Sequence, residues 1–290
     1  MYSAIAANKR KTWLIIASFG LIIAGLGWVI GSLYRQPSFL YIALIVASVY
    51  ALIQYFAASK IALAMNGAKE VTKKDAPRLY RTVENLSIAT GMPMPKVYVI
   101  DDPAPNAFAT GRDPQHAVVA ASSGLLDIMD DQELEAVMAH ELGHVQNYDI
   151  RVMMIVFGLV SAIGFIADMI FHMMWFRSDD EAPNPIFMVL AIVAAIIAPF
   201  IAMMVQLAVS RRREYLADST GAMTTRHPEG LARALEKIRD HGSVMKRQNT
   251  ATAHFFFASP LKAKSLSKLF STHPPIEDRI AKLRNMGNHL

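Results

Sequence analysis

Four long apolar runs restrict how this 290-residue chain can fold. Each run has 21 to 25 residues, and about 20 apolar residues in a helix are enough to cross the hydrocarbon core of a bilayer. The runs come in two pairs, and each pair predicts a transmembrane hairpin. They are Trp13–Leu33, Ser38–Ala58, Val152–Phe176 and Pro185–Val209.

The runs divide the chain into four segments with different expected environments. Residues 1–59 and 152–209 are predicted to form the two transmembrane hairpins, and residues 60–151 and 210–290 are predicted to form the first and second parts of one soluble domain. The predicted fold class is therefore mainly α, with four transmembrane helices and a soluble α+β domain that contains a small sheet.

The composition agrees with a membrane protein. Hydrophobic residues make up 53% of the chain and charged residues 18%, against about 45–50% and about 25% in soluble domains. A cleaved signal peptide is the alternative for the first run, but its apolar region would have about 7–15 residues before an A-x-A site. The run is longer and no clear A-x-A site follows, which favours an uncleaved anchor. The absence of cysteine excludes disulfides and cysteine-ligated metal sites.

Basic residues beside the runs predict the orientation in the membrane. Three precede the first run and three follow the fourth, whereas each of the two outer loops has one. Because positive residues are retained on the cytoplasmic side, both termini and the intervening soluble segment are predicted to be cytoplasmic. The same clustering explains the net charge of +5 better than a nucleic-acid partner does. The residues are Lys9, Arg10, Lys11, Arg35, Arg177, Arg211, Arg212 and Arg213.

Two further features concern the membrane. Asp168 and His172 lie near the outer end of the third run; ionisable groups inside a membrane often mark function, but the neighbouring Trp175 favours the interface over a proton pathway. The segment His254–Lys268 mixes three phenylalanines with lysines. It predicts either contact with the anionic leaflet or a buried aromatic patch under a solvated basic loop.

The first soluble segment carries an H-E-x-x-H motif at positions 140–144. On a helix, His140 and His144 lie on one face and can bind one metal ion, while Glu141 is placed to act as general base. Gly143 costs about 1 kcal/mol in a helix relative to Ala, which predicts the close approach of another backbone. The alternative is a structural histidine pair on a packed helix.

Capping residues predict where two soluble helices begin. Asp130 and Glu133 form a capping box for the motif helix, which then extends to about Asn147. Asp75 is the predicted N-cap of an earlier helix that ends near Gly91.

A catalytic zinc site needs three protein ligands, and Glu214 is the best candidate for the third. It follows the fourth run by five residues, on a predicted helical extension. Asp218, four residues later on the same face, can bind the outer nitrogen of a liganding histidine. The alternative is a charged helix end at the membrane. With the histidine motif present, one Zn²⁺ per chain is the expectation.

Three short strands are predicted before the motif helix: Lys96–Asp101, Asn106–Thr110 and His116–Ala121. The second is expected to be an exposed edge strand to which an extended substrate adds its backbone. The alternative is a strand that only closes the sheet, with Asn106 in a turn after Pro105. The residues assigned to substrate binding are Asn106, Ala107, Phe108, Ala109 and Thr110.

These segments together resemble the HtpX heat-shock membrane proteases, relatives of the CAAX prenyl protease 1 family within the gluzincin metallopeptidases. The resemblance covers essentially the whole chain. Besides the paired spans and the H-E-x-x-H motif, it rests on three signatures: N-A-F-A-T-G at Asn106–Gly111, E-x-x-A-D at Glu214–Asp218, and H-P-P-x-x-x-R at His273–Arg279.

The resemblance implies a gluzincin domain with Zn²⁺ bound by His140, His144 and Glu214 and with Glu141 as base. It also implies that His273 stabilises the tetrahedral oxyanion, for which a residue that starts a helix before Pro274 is the alternative. Arg279 is expected to pair with a carboxylate of the site such as Asp218, and a surface arginine is the alternative. The expected catalytic residues are Glu141 and His273.

The expected function is that of a zinc endopeptidase in the cytoplasmic membrane of a prokaryote. The resemblance implies quality control of misfolded or damaged membrane proteins under stress, by cleavage of their cytoplasmic or juxtamembrane segments. The expected partners are peptide or membrane-protein substrates and the lipid bilayer, without nucleic acid. The alternatives are a CAAX-type protease and a membrane adaptor with a structural zinc. An adaptor needs a fourth zinc ligand, and we find no fourth His or Cys at suitable spacing.

Overall fold

The computed structural model describes residues 2–33, 35–159, 211–241, 245–247, 255–257 and 274–287. Residues 149–159 are helical and contain the beginning of the third apolar run. The rest of the predicted second hairpin lies outside the described residues. The same holds for Asp168, His172, His273 and most of the segment His254–Lys268.

The N-terminal hairpin consists of helices α1 (Tyr2–Leu33) and α2 (Ser38–Met65). The two helices pack closely, and a Cβ added at Gly27 would lie 2.9 Å from the Ala43 Cβ. Their outward faces carry exposed apolar and aromatic side chains. Within the described part of the chain, α2 is the one helix that is long and apolar enough to cross a membrane, with a mean hydropathy of 2.0.

A four-stranded mixed sheet follows the hairpin, with the order β1-β2-β4-β3. β2 and β4 are parallel, and the other two pairs are antiparallel. The three predicted strands are confirmed to within one residue at each end. The short first strand was not predicted, because three residues carry too little alternation. The strands are β1 (Ala68–Glu70), β2 (Lys96–Ile100), β3 (Ala107–Gly111) and β4 (Ala117–Ser122).

Besides the helical residues 149–159, the described part of the chain forms six further α-helices. The central one is α5, which packs against α3, α6, α7 and β3. The described structure is therefore mostly helical with a small mixed sheet. The helices are α3 (Pro77–Thr90), α4 (Ser123–Ile128), α5 (Asp131–Gln146), α6 (Arg211–Thr225), α7 (Pro228–His241) and α8 (Ile276–Gly287).

Strands β3 and β4 are buried on both faces of the sheet, and successive side chains point to opposite faces. Ala109 and Val119 belong to the apolar core that contains α3, α5 and α7. Phe108 and Val118 belong to a second core, formed with the hairpin and with residues 152–159. The sheet therefore separates the helix that carries the histidines from the N-terminal hairpin and from residues 152–159.

The predicted N-cap of α3 is wrong. The N-cap position is Ala76, and Pro77 is the first helical residue. The Asp75 carboxylate instead accepts hydrogen bonds from the Thr72 backbone and hydroxyl, at 2.8 and 2.6 Å. These local bonds compete with capping. Gly91 ends the helix in the left-handed conformation, as predicted.

The contact between α5 and α6 depends on small residues. The expected approach of another backbone at Gly143 is present, since a Cβ there would lie 3.5 Å from the Ala217 Cα. That is an ordinary van der Waals distance. The tighter position is Gly221 on α6, where a Cβ would lie 3.0 Å from the His140 backbone nitrogen. Gly221 therefore sets how closely α6 approaches the histidine helix.

We expect Gly221→Ala to destabilise the protein by about 1–3 kcal/mol relative to Gly143→Ala. Both changes gain the same helix propensity, so their difference reports the crowding between the two helices. Denaturant unfolding of both variants in detergent measures it. A lower stability for Gly143→Ala than for Gly221→Ala would contradict this account of the interface.

Candidate active site

The helix that carries the H-E-x-x-H motif begins at the predicted capping box. The Asp130 carboxylate accepts from the Glu133 backbone N–H at 2.9 Å, and the Glu133 carboxylate accepts from the Asp130 backbone N–H at 2.8 Å. Lys237 of α7 donates to the same Glu133 carboxylate at 2.6 Å. The start of α5 is thereby fixed to the neighbouring helix, which orients the motif two turns further on.

His140 and His144 of α5 lie beside Glu214 of α6, and their candidate ligand atoms are all within 4.8 Å of one another. The two Nε2 atoms are 3.1 Å apart, and Glu214 oxygens lie 3.8 Å from His140 Nε2 and 3.5 Å from His144 Nε2. Two ligands of a tetrahedral zinc, each about 2.1 Å from the metal, are about 3.4 Å apart. The three distances bracket this value, so the cluster fits a metal site.

The other ring nitrogen of His140 faces Asp218, which Arg279 holds in place. His140 Nδ1 is 2.8 Å from Asp218 Oδ1. The Arg279 guanidinium donates two hydrogen bonds to the Asp218 carboxylate, at 2.9 and 2.7 Å. Burial raises the pKa of Asp218, but Arg279 and His140 outweigh this effect and lower it to about 2. Arg279 is 1% exposed, which excludes the surface alternative.

The other ring nitrogen of His144 contacts Asp149, which the sequence reasoning missed. His144 Nδ1 is 3.0 Å from Asp149 Oδ2, and Asp149 is fully buried. A carboxylate that supports a metal-ligating histidine is a common arrangement. The available signal was an acidic residue five positions after His144, directly after the motif helix.

The two imidazoles have opposite pKa shifts. Burial lowers the pKa of His140 to about 4, since desolvation outweighs the effect of Asp218. Burial also lowers the pKa of His144, but the hydrogen bond to Asp149 and the charge of Glu214 outweigh it and raise the value to about 9. Metal ligation requires a neutral imidazole, so binding at His144 is coupled to the release of a proton.

Glu141 is buried directly beside strand β3. Its carboxylate accepts a hydrogen bond from the Ala109 backbone N–H. Burial raises the pKa of Glu141 to about 7, and the charge of Glu214 acts in the same direction. A carboxyl group with a pKa near neutrality can both accept and release a proton under physiological conditions.

Strand β3 lies at the edge of the sheet, but it is not exposed as predicted. All five of its residues are buried. Phe256 forms an antiparallel bridge with Phe108, and the Phe257 backbone N–H donates to the Ala107 carbonyl at 2.8 Å. The expectation of an open edge is wrong because this segment, distant in sequence, pairs with it.

Asn106 lies immediately before β3 and is 3% exposed. Its side-chain oxygen accepts from the Ala107 backbone N–H at 3.1 Å, and its own backbone N–H donates to the Ser122 hydroxyl at 2.8 Å. The first bond is local and the second joins Asn106 to the end of β4, so the assignment of Asn106 to substrate binding stays a prediction.

The described part of the aromatic–basic segment is also buried. Phe255, Phe256 and Phe257 are 4%, 1% and 2% exposed. The Phe257 ring lies 4.9 Å from the His140 ring and 4.7 Å from the Arg279 guanidinium carbon. For these three residues the buried aromatic patch is confirmed, and it shields one side of the site.

A metal-binding cluster on an H-E-x-x-H helix, with a carboxylate from a second helix, is characteristic of metallopeptidases. The model of peptidase family M48 matches residues 73–287. Two proteins described as "Protease HtpX homolog", from Tropheryma whipplei (strain Twist) and Streptococcus pneumoniae (strain ATCC BAA-255 / R6), are 53% and 44% identical to this chain. Each alignment covers 99% of this chain, together with 99% and 100% of the relative. The chain therefore belongs to peptidase family M48, and it is a metalloprotease.

The fold is also similar to that of a solved structure. The crystal structure of S. mikatae Ste24p matches with a TM-score of 0.54 and 20% sequence identity. The match covers 98% of this chain and 67% of that chain. At this identity the likeness establishes the fold.

We expect Arg279→Leu to destabilise the protein by about 3–5 kcal/mol, because it leaves the buried Asp218 carboxylate without its positively charged partner. Arg284→Leu on the same helix is the matched control. Arg284 pairs with Glu229 and Glu236 on the surface at 3.1 and 3.0 Å, and solvent screening makes such exposed pairs weak. Denaturant unfolding measures both, and equal losses would contradict the assigned role of the buried pair.

Proposed function

We propose that this metalloprotease is a membrane-integrated, zinc-dependent endopeptidase. In this proposal it cleaves cytoplasmic or juxtamembrane segments of misfolded or damaged membrane proteins in a prokaryotic cytoplasmic membrane. The observation that carries the proposal is the cluster of His140, His144 and Glu214 beside Glu141, with a sheet edge next to it. The exposed apolar hairpin supports the membrane location.

In this proposal His140, His144 and Glu214 hold the metal ion. Two imidazoles with one carboxylate form a ligand set that is common for catalytic zinc. Zn²⁺, when bound, acts as a Lewis acid toward a peptide carbonyl and toward water. Asp218 and Asp149 orient the two imidazoles from behind, through the contacts at Nδ1 of each ring.

Glu141 is proposed as the general base. Its carboxylate takes a proton from the attacking water and returns it to the leaving amine. The Ala109 N–H fixes one side of the carboxylate, and burial places its pKa near neutrality. His273 is proposed to donate to the developing oxyanion. Arg279, whose guanidinium lies 3.9 Å from Glu214, adds positive charge behind the site.

The outer edge of β3 is proposed as the binding site for an extended substrate. Ala107 and Ala109 direct backbone groups away from β4, toward Phe257 and Glu141 respectively. A peptide that adds to this edge would run toward Glu141. The segment Phe255–Phe257 pairs with the same edge, so substrate has to replace it or bind beside it. The proposed substrate-binding residues remain 106–110.

Two variants separate the role of a base from that of a ligand. Glu141→Gln should retain zinc but lose peptide cleavage, because the amide can still accept from the Ala109 N–H but cannot take a proton. Glu214→Ala should lose zinc as well as cleavage. Elemental analysis of zinc per chain and cleavage of a membrane-protein substrate measure both properties. Normal turnover by a zinc-loaded Glu141→Gln protein would exclude Glu141 as the general base. Full zinc occupancy in Glu214→Ala would exclude Glu214 as a metal ligand.

The proposed topology has four spans with both termini and the active site in the cytoplasm. A reporter fused at Asp180 should be external, and reporters at Lys73 and at the C-terminus should be cytoplasmic. Accessibility to an impermeant label in intact cells measures these positions. A cytoplasmic Asp180 would contradict the second transmembrane hairpin.

A further inference from the structure

The N-terminal helix contacts the chain immediately after the motif helix through one buried amide. Asn8 of α1 is 4% exposed. Its Nδ2 group donates to the Asn147 carbonyl at 2.8 Å and to Asp149 Oδ1 at 2.7 Å. A residue on the first helix therefore satisfies one carbonyl at the C-terminal end of α5 and one oxygen of a buried carboxylate.

The turn between these two acceptors has an unusual backbone. Tyr148 adopts a left-handed conformation with φ of 60°, which is uncommon for an aromatic residue. Its ring lies 4.6 Å from the Lys9 ammonium and 4.9 Å from the Arg151 guanidinium carbon. Asn8 bonds the residue on either side of Tyr148. The N-terminal helix thus stabilises the turn that redirects the chain at the end of the motif helix.

After this turn, the chain places Asp149 beside Nδ1 of the His144 ring. Asp149 Oδ2 is 3.0 Å from His144 Nδ1, while Asp149 Oδ1 receives Asn8 and lies 3.6 Å from the Arg213 guanidinium. The two carboxylate oxygens of Asp149 therefore contact different groups. Asn8 donates a hydrogen bond to Oδ1, which also lies within ion-pair distance of Arg213, and Oδ2 faces the imidazole. This division fixes the carboxylate plane, and with it the orientation of the His144 ring.

We propose that Asn8 is a positioning residue for the metal ligand His144 and that it acts through Asp149. The inference rests on the proposed metal site. It gives the N-terminal helix a part in the active site beyond membrane anchoring, although Asn8 lies outside residues 73–287 matched by the family model. A chain that lacks this helix would retain all three ligands but would hold one of them less firmly.

The test measures zinc affinity of the full-length protein in detergent, by competition with a chromogenic chelator. Asn8→Leu and Asn8→Asp both remove the two donated hydrogen bonds and keep the side-chain size. Each should weaken zinc binding about 3–10-fold. Thr12→Val is the matched control. Thr12 is buried one turn further along the same helix, and its hydroxyl bonds only the Asn8 carbonyl at 3.0 Å among the contacts of the described residues. Zinc affinity should be unchanged in this variant.

A double-variant comparison shows whether the effect passes through Asp149. Asp149→Asn alone should weaken zinc binding about 10–100-fold. In the Asp149→Asn background, Asn8→Leu should weaken zinc binding little further, because both changes disrupt the same chain of contacts from Asn8 through Asp149 to His144. Unfolding midpoints measured with excess chelator separate loss of fold from loss of zinc.

The outcomes are distinguishable. Folded Asn8 variants with wild-type zinc affinity would overturn the positioning role while leaving the proposed function intact. The same holds if Asn8→Leu weakens zinc affinity by the same factor in the Asp149→Asn background as in the wild-type background. Wild-type protein that binds zinc no more tightly than Glu214→Ala would instead remove the proposed metal site, and this inference with it.

Discussion

Four buried carboxylates surround the histidine pair, and their charge has to be balanced in an apolar interior. They belong to Glu141, Asp149, Glu214 and Asp218, and among the described residues two buried guanidinium groups, those of Arg213 and Arg279, face them. Unpaired buried charge is costly. A divalent cation held by His140, His144 and Glu214 would neutralise the remaining excess of two negative charges. Burial and the charge of Glu214 raise the pKa of Glu141. Burial lowers the pKa of His144, but the hydrogen bond to Asp149 and the charge of Glu214 outweigh this effect and raise it.

The fold meets this requirement by bringing together groups that are distant in sequence. α5 provides two imidazoles, α6 provides a carboxylate on a helix whose close approach Gly221 permits, and α8 provides Arg279. Each imidazole is contacted from behind by a different carboxylate: Asp218 comes from α6, and Asp149 from the turn that α1 stabilises. The site is therefore held by tertiary contacts on all sides, and local helix propensity contributes little to its geometry.

Local sequence signals predicted the helices and strands. The environment of the site depends on contacts between residues that are distant in sequence. The Asp130–Glu133 capping box, the three strands and the histidine spacing were readable because each depends on residues within a few positions. Asp75 failed as a cap because the backbone and hydroxyl of Thr72 donate to its carboxylate instead. The covered edge of β3 was unreadable, since the covering residues lie about 150 positions later in the chain.

The supporting groups were harder still to predict. Asp149 follows the motif closely, but nothing local distinguishes it from an ordinary residue in the next helical segment. Asn8 becomes relevant only when α1 packs beside the turn at Tyr148. Burial of polar side chains revealed both residues, because a buried amide or carboxylate needs a partner. The sequence alone does not show that these two side chains are buried, so it does not show that they need partners.

The central claim is that one Zn²⁺ is bound by two imidazoles and one carboxylate. X-ray absorption at the zinc edge of the purified full-length protein tests it most directly. The account predicts one zinc per chain with four nitrogen or oxygen neighbours at about 2.0–2.2 Å, including the outer-ring scattering of two imidazoles. A shell of six oxygens, or a spectrum with fewer than two imidazoles, would contradict it.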